Sequence, residues 1–112
     1  MKTCTAVLLW AALVGGSAVA AGSGNATHDR LMSLPAAERA KTLAKAIGQG
    51  CAGTSAFPMG VTSAGNAKGL AYWSVRCKDG RSFAVQIAPD AQAVVIDCRV
   101  LKANGKECFK KF

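Results

Sequence analysis

The chain is 112 residues long, with 14 Lys and Arg against 6 Asp and Glu, a formal net charge of +8 and a 51% hydrophobic composition. That length allows one small domain, close to the size at which burial alone leaves stability marginal, and it excludes a multidomain machine. The positive balance favours acidic partners or anionic surfaces.

Residues 1–21, MKTCTAVLLWAALVGGSAVAA, read as a signal peptide. Lys2 precedes an apolar run over 6–14, Gly15, Gly16 and Ser17 follow, and Ala18-Val19-Ala20 is a small-x-small pattern that places cleavage after Ala20. A membrane anchor is the rival reading, but the run falls short of the roughly 20 residues a span needs. Cys4 lies before the apolar run, whereas a lipoprotein signal carries its cysteine after it. Removing residues 1–20 takes away only Lys2 among the charged groups and leaves 92 residues with a charge of +7. The expected location is periplasmic or secreted, without stable membrane insertion.

Residues 21–32 carry no apolar periodicity, and the Gly, Ser, Asn and Thr there predict a flexible tail. His28, the single histidine, is then expected to be solvated. A single domain is expected over 33–112. Ser33-Leu34-Pro35 opens a helix, since proline is tolerated in the first turn. Ala36, Ala40, Leu43, Ala44 and Ile47 recur on one side; Glu38, Arg39, Lys41, Thr42 and Lys45 fill the other. The narrow, alanine-rich stripe suits close packing on a sheet better than a membrane surface, which usually draws bulkier residues. Gly48 and Gly50 end the helix.

In 51–70, Phe57, Met59 and Val61 alternate with Pro58 and Gly60 between them, which predicts a short edge strand. The glycines at 65 and 69 do not form a phosphate loop, because no G-K-[ST] ending follows. Residues 71–88, AYWSVRCKDGRSFAVQIA, predict the central β-hairpin. A two-residue turn at Asp79-Gly80 would set the large apolar residues on opposite faces. A three-residue loop, Lys78-Asp79-Gly80, instead pairs Val75 with Phe83, Trp73 with Val85 and Ala71 with Ile87, and parity selects it. After a four-residue turn at Pro89-Asp90-Ala91-Gln92, residues 93–101 predict a third strand, with Ile87 facing Val94, Val85 facing Ile96 and Phe83 facing Cys98. Asn104-Gly105 turns the chain, and 107–109 is a short strand or a cysteine-anchored end. The expected fold is α+β: one N-terminal helix on a three- to four-stranded antiparallel meander, held by two disulfides.

The expected mature chain keeps Cys51, Cys77, Cys98 and Cys108, an even number that points to disulfides outside the cytoplasm. Zinc is the rival, yet there is no C-x-x-C pair and no nearby histidine. Cys77 and Cys98 are expected two strands apart, roughly 9–10 Å, beyond disulfide reach. Two connectivities remain. Cys51–Cys77 with Cys98–Cys108 is preferred to Cys51–Cys98 with Cys77–Cys108, because it ties the post-helix segment to the sheet and the tail to the third strand.

Catalytic chemistry is hard to place. The one histidine is in the expected tail, Asp79 and Asp90 are in opposite turns, and Asp97 stands beside Arg99 as a surface ion pair. Neither C-x-x-C nor C-x-x-C-H occurs, so a redox or haem role has no motif. No cofactor or metal is expected. The outward sheet face mixes Tyr72, Ser74, Arg76, Ala84, Gln86, Val95, Asp97, Arg99 and Leu101. It reads either as an ordinary solvated face or as a partner-binding face centred on Tyr72, Arg76, Gln86 and Arg99, with lysines along the rim. Nucleic acid is disfavoured, because the chain is expected to be exported and its aromatics follow the core pattern.

The run YWSVRCKDGRSFAVQI, then VIDCRVL, then Cys108-Phe109 resembles a set of small exported bacterial proteins. The likeness covers roughly the C-terminal half, and no catalytic residue comes with it. The helix-on-meander order is similar to PepSY or cystatin-like domains, where related domains act as inhibitors or accessory binders. Together these imply a non-enzymatic protein that binds a protein or an anionic envelope component. The alternatives are an inhibitor of an envelope hydrolase or, further off, a small hydrolase or redox protein.

Overall fold

The computed structural model describes residues 23–63 and 68–112. The expected signal peptide and its cleavage site lie outside the described residues. In chain order the elements are α1 (Ala26–Ser33), α2 (Ala36–Ile47), β1 (Gly53–Val61), β2 (Ala71–Cys77), β3 (Ser82–Ile87), β4 (Ala93–Asp97) and α3 (Cys98–Ala103). The strands form one antiparallel sheet in the order β1-β2-β3-β4. This is the expected α+β meander, with two more short helices than the sequence pattern foretold.

Hydrophobic parity sets the central hairpin. Ala71 pairs with Ile87, Trp73 with Val85 and Val75 with Phe83, as the three-residue loop requires. Gly80 takes φ 92, and Cys77 N–H donates to the Arg81 carbonyl at 2.8 Å. Trp73, Val75, Val85, Phe83 and Ile87 build the core on one face, where Leu43 and Ile47 of α2 and Leu31 of α1 cover them. Four of the five predicted helix positions are buried; Ala36 is exposed. The alanine stripe lets α2 approach β1 until a Cβ on Gly53 would stand 2.3 Å from the Ala40 carbonyl oxygen. β1 is the predicted edge strand, longer than expected and broken by irregularities at Gly53/Ser55 and Pro58/Gly60.

Residues 26–33 are not a tail. Asn25 caps α1: its Oδ1 accepts the His28 N–H at 3.0 Å, and its Nδ2 donates to the carbonyls of Gly69 and Ile87, each at 2.8 Å. One residue that is 1% exposed thus starts a helix and pins it to two places far along the chain. His28 is buried, and its Nδ1 accepts the Trp73 indole N–H at 2.9 Å. Arg39, expected on a solvated side, donates to the carbonyls of Leu34 and Met32 and closes the end of α1 against α2.

The third predicted strand is corrected in two ways. Ala88 N–H donates to Gln92 O at 2.8 Å and Ala91 N–H to Ala88 O at 2.8 Å, so the turn has three residues, Pro89-Asp90-Ala91, not four. It repeats the first loop. Ala91 stands at φ 74 where Gly80 stands in the other, and Asp90 accepts from Gln92 as Asp79 accepts from Arg81. Pairing therefore slips by one residue: Ile87 meets Ala93, Val85 meets Val95 and Phe83 meets Asp97. Val95 packs with the Trp73 core and Ile96 faces the opposite side, the reverse of the expectation. The strand also stops early. Asp97 accepts the Arg99 N–H at 2.8 Å, and this cap turns residues 98–103 into α3.

Cys51–Cys77 and Cys98–Cys108 are bonded, with Cα separations of 5.2 and 5.8 Å, as preferred. The register behind that preference shifts, but the pairing stands, because α3 carries Cys98 out of the sheet towards the closing segment.

Candidate functional site

The second sheet face carries Tyr72, Ser74, Arg76, Ala84 and Gln86, as alternation predicts, but it is not an open solvated surface. α3 and residues 104–112 cross it, and Ser74 and Ala84 are fully buried beneath them. Ser74 Oγ accepts the Phe109 N–H at 2.8 Å. The Phe109 ring lies 6.4 Å from Phe57, and the Arg76 guanidinium sits 4.8 Å above it. Phe112 meets Tyr72 edge-on at 5.4 Å, and its N–H donates to the Met59 carbonyl at 3.3 Å on the outer side of β1. Gly60 makes room for that ring: a Cβ there would meet it at 2.9 Å. The Cys98–Cys108 bond fastens the whole covering segment to itself.

Of the four residues expected to centre a partner-binding face, two stay together and two are diverted. Tyr72 OH donates to Gln86 Oε1 at 2.7 Å. Arg76 is taken up by Phe109. Arg99 leaves the sheet altogether; it stands on α3, almost fully exposed, and bonds Asp97 at 3.0 Å. Leu101, expected on the outward strand face, is instead buried under α3 against Met59 and Ala84. The sequence pattern missed Met59, Phe109 and Phe112. The Cys108-Phe109 ending was the available signal, since a cysteine-anchored segment must lie on something.

Between sheet and cover remains an apolar groove of about 520 Å³. Met59, Tyr72 and Ile96 form its floor, Val100 and Leu101 one wall, Lys106 and Phe112 the other. Val94 pairs with Gln86 and so continues the floor outward along β4. Val94, Val100 and Phe112 are 51%, 54% and 56% exposed, an uncommon grouping for a surface this small. The cover also concentrates charge: residues 98–112 hold Arg99, Lys102, Lys106, Lys110 and Lys111 against Glu107 alone. Arg99 and Lys110 are neutralised by Asp97 and Glu107. Lys102, Lys106 and Lys111 form no salt bridge among the described residues.

A second, polar groove of about 610 Å³ runs between the Asp79 loop and α3. Its carboxylates are engaged. Hydrogen bonds from the Arg99 side chain and backbone hold Asp97 below the usual carboxylate range, and the Arg81 backbone N–H, then its guanidinium, does the same for Asp79. Such groups stay ionised and lack the raised pKa of a general acid. His28 is also pushed down, away from the range of a useful general base. Burial chiefly lowers its pKa, with Lys111 adding to this and Asp29 opposing it, and its Nδ1 already accepts from Trp73.

No family model, curated protein or solved structure matches the chain. Among the described residues, no helix is long and apolar enough to cross a membrane.

Proposed function

We propose that this chain is an exported, non-enzymatic binding protein of the cell envelope, and that its partner is acidic. The observation that carries the reading is the apolar groove lined by Val100, Lys106 and Phe112, with exposed Val94 beyond it on the same sheet face and Lys102 on the neighbouring polar groove of α3. Apolar area supplies affinity, and the excess of cations on the covering segment selects the sign of what approaches. Export rests on the signal-like residues 1–20 and on four cysteines committed to two disulfides, which form and persist in oxidising compartments. With four sulfurs bonded, the carboxylates of the polar groove engaged and the histidine buried, most of the described side chains that could carry chemistry are already in use.

The test separates this site from general basicity. Retention on immobilised poly-glutamate and on phosphatidylglycerol vesicles is measured for the native protein, for Lys102→Glu/Lys106→Glu, and for Lys41→Glu/Lys45→Glu on the exposed side of α2. The expected outcome is a loss of about tenfold for the first pair and little change for the second. Equal losses from both pairs, or no retention of the native protein at low salt, would overturn the reading.

A further inference from the structure

The two edges of the sheet are finished differently. β1 carries Pro58, which has no N–H to offer, two irregularities in pairing, and the Phe112 N–H bonded to Met59. These are the devices that stop one sheet from adding to another. β4 has none of them. Its five residues, Ala93-Val94-Val95-Ile96-Asp97, pair with β3 without a break and contain no proline, glycine or lysine. The Ala88–Gln92 bond fixes the alternation: Gln92, Val94 and Ile96 turn their backbone groups towards β3, and Ala93 and Val95 turn theirs outward. Among the described residues, no hydrogen bond reaches Ala93 or Val95 from that side.

We propose that β4 is a docking edge for an extended acidic segment of a partner protein, which adds as a fifth strand and lays alternate apolar side chains into the neighbouring groove. The inference rests on the binding reading above and says how the partner is held. Backbone groups of Ala93 and Val95 hold the added strand, and period-two alternation puts every second side chain over Val94, Ile96 and Val100. Lys106 lines that groove, Lys102 lies one residue past Leu101 on α3, and both favour carboxylates on the added strand. A second copy of this chain fits poorly, because it would bring another charge of +8, or +7 after cleavage, against the same cations.

The probe is an acetylated ten-residue peptide alternating glutamate and leucine, followed by binding titration and amide-exchange NMR. Binding should protect the Ala93 and Val95 amides. The same peptide N-methylated on the residues facing β4 should bind about tenfold more weakly, as should a version with lysine for glutamate. Ala93→Pro removes one outward N–H at an exposed position and should weaken the parent peptide similarly; the N-methylated probe gives the same answer without altering the protein. If the peptide binds but N-methylation changes nothing and both amides exchange as before, strand addition is overturned while an acidic-partner site stands. If only anionic vesicles bind, the edge is likewise not the site. Protection of Ala93 and Val95 in a dimer without peptide would replace the partner with a second copy. If neither acidic probe binds, both readings fall.

Discussion

The two faces of the sheet are covered by opposite strategies. On one, α1 and α2 bury Trp73, Val75 and Val85 completely, and Asn25, His28 and Arg39 satisfy one another's neighbours inside the joint. On the other, a six-residue helix and a run of irregular backbone do the covering, anchored by a disulfide and three aromatic contacts, with a groove left open. The first face concentrates burial and the second leaves apolar surface unfilled. A domain of this size has one well-packed core to spend its large side chains on, so the weaker cover is where the proposed partner would dock.

The largest test of that contrast is truncation of one anchor from each face. Trp73→Ala should cost about 3–5 kcal/mol and unfold much of the population, whereas Leu101→Ala should cost about 2 kcal/mol, both read by urea denaturation. The disulfides should follow in the same order. The chain-entropy estimate is about 3.5 kcal/mol for Cys51–Cys77, 26 residues apart, and about 2.7 kcal/mol for Cys98–Cys108, 10 apart. Paired Cys→Ala variants should therefore lower the melting temperature more for the first bridge than for the second. A reversal would mean that the second cover is the stronger.

Acid should loosen the helix face first. His28 has its pKa lowered from 6.5 on folding, so the folded chain binds fewer protons than the unfolded one between the two values. Its contribution is fully present above the unfolded pKa and is lost as pH falls through about 6.5 towards the folded value, because a proton on Nδ1 ends acceptance from Trp73. Denaturation midpoints at pH 8 and 5 should show the fall, and His28→Gln should flatten it; an unchanged slope would remove His28 from the account. The smallest effect concerns the turn into β4. Ala91 occupies the left-handed conformation that Gly80 occupies in the matching loop, so Ala91→Gly should stabilise by about 1 kcal/mol, against a near-zero change for an exposed alanine elsewhere.

The helix face was legible because its signals are local and periodic: alanines and leucines at helical spacing, and a hairpin whose parity allows one register. α1 was missed because its cap, Asn25, looks like any loop asparagine until Gly69 and Ile87 arrive beside it. Asp29 in the first turn and Pro35 two residues past the end were the cues present in the chain. The β4 register was missed because the second loop has alanine where the first has glycine, so only the hydrogen bonds reveal that the two are alike. Arg99 was misplaced on the strand for a related reason. Asp97 can extend a strand or cap a helix, and the choice falls to Cys98, whose bond to Cys108 needs the chain to leave the sheet.

Composition, parity and cysteine placement by themselves determined a small basic α+β meander with four of the five cysteines paired in two bridges, because these depend on alternation along the chain and on spacing. Tertiary structure alone decided that residues 26–33 are helical, that the second face is roofed by the chain's own closing residues, and that no hydrogen bond among the described residues closes the outer edge of β4. Each of those is an encounter between segments far apart in sequence, where a side chain's role depends on what arrives opposite it, and a one-dimensional pattern carries no record of that.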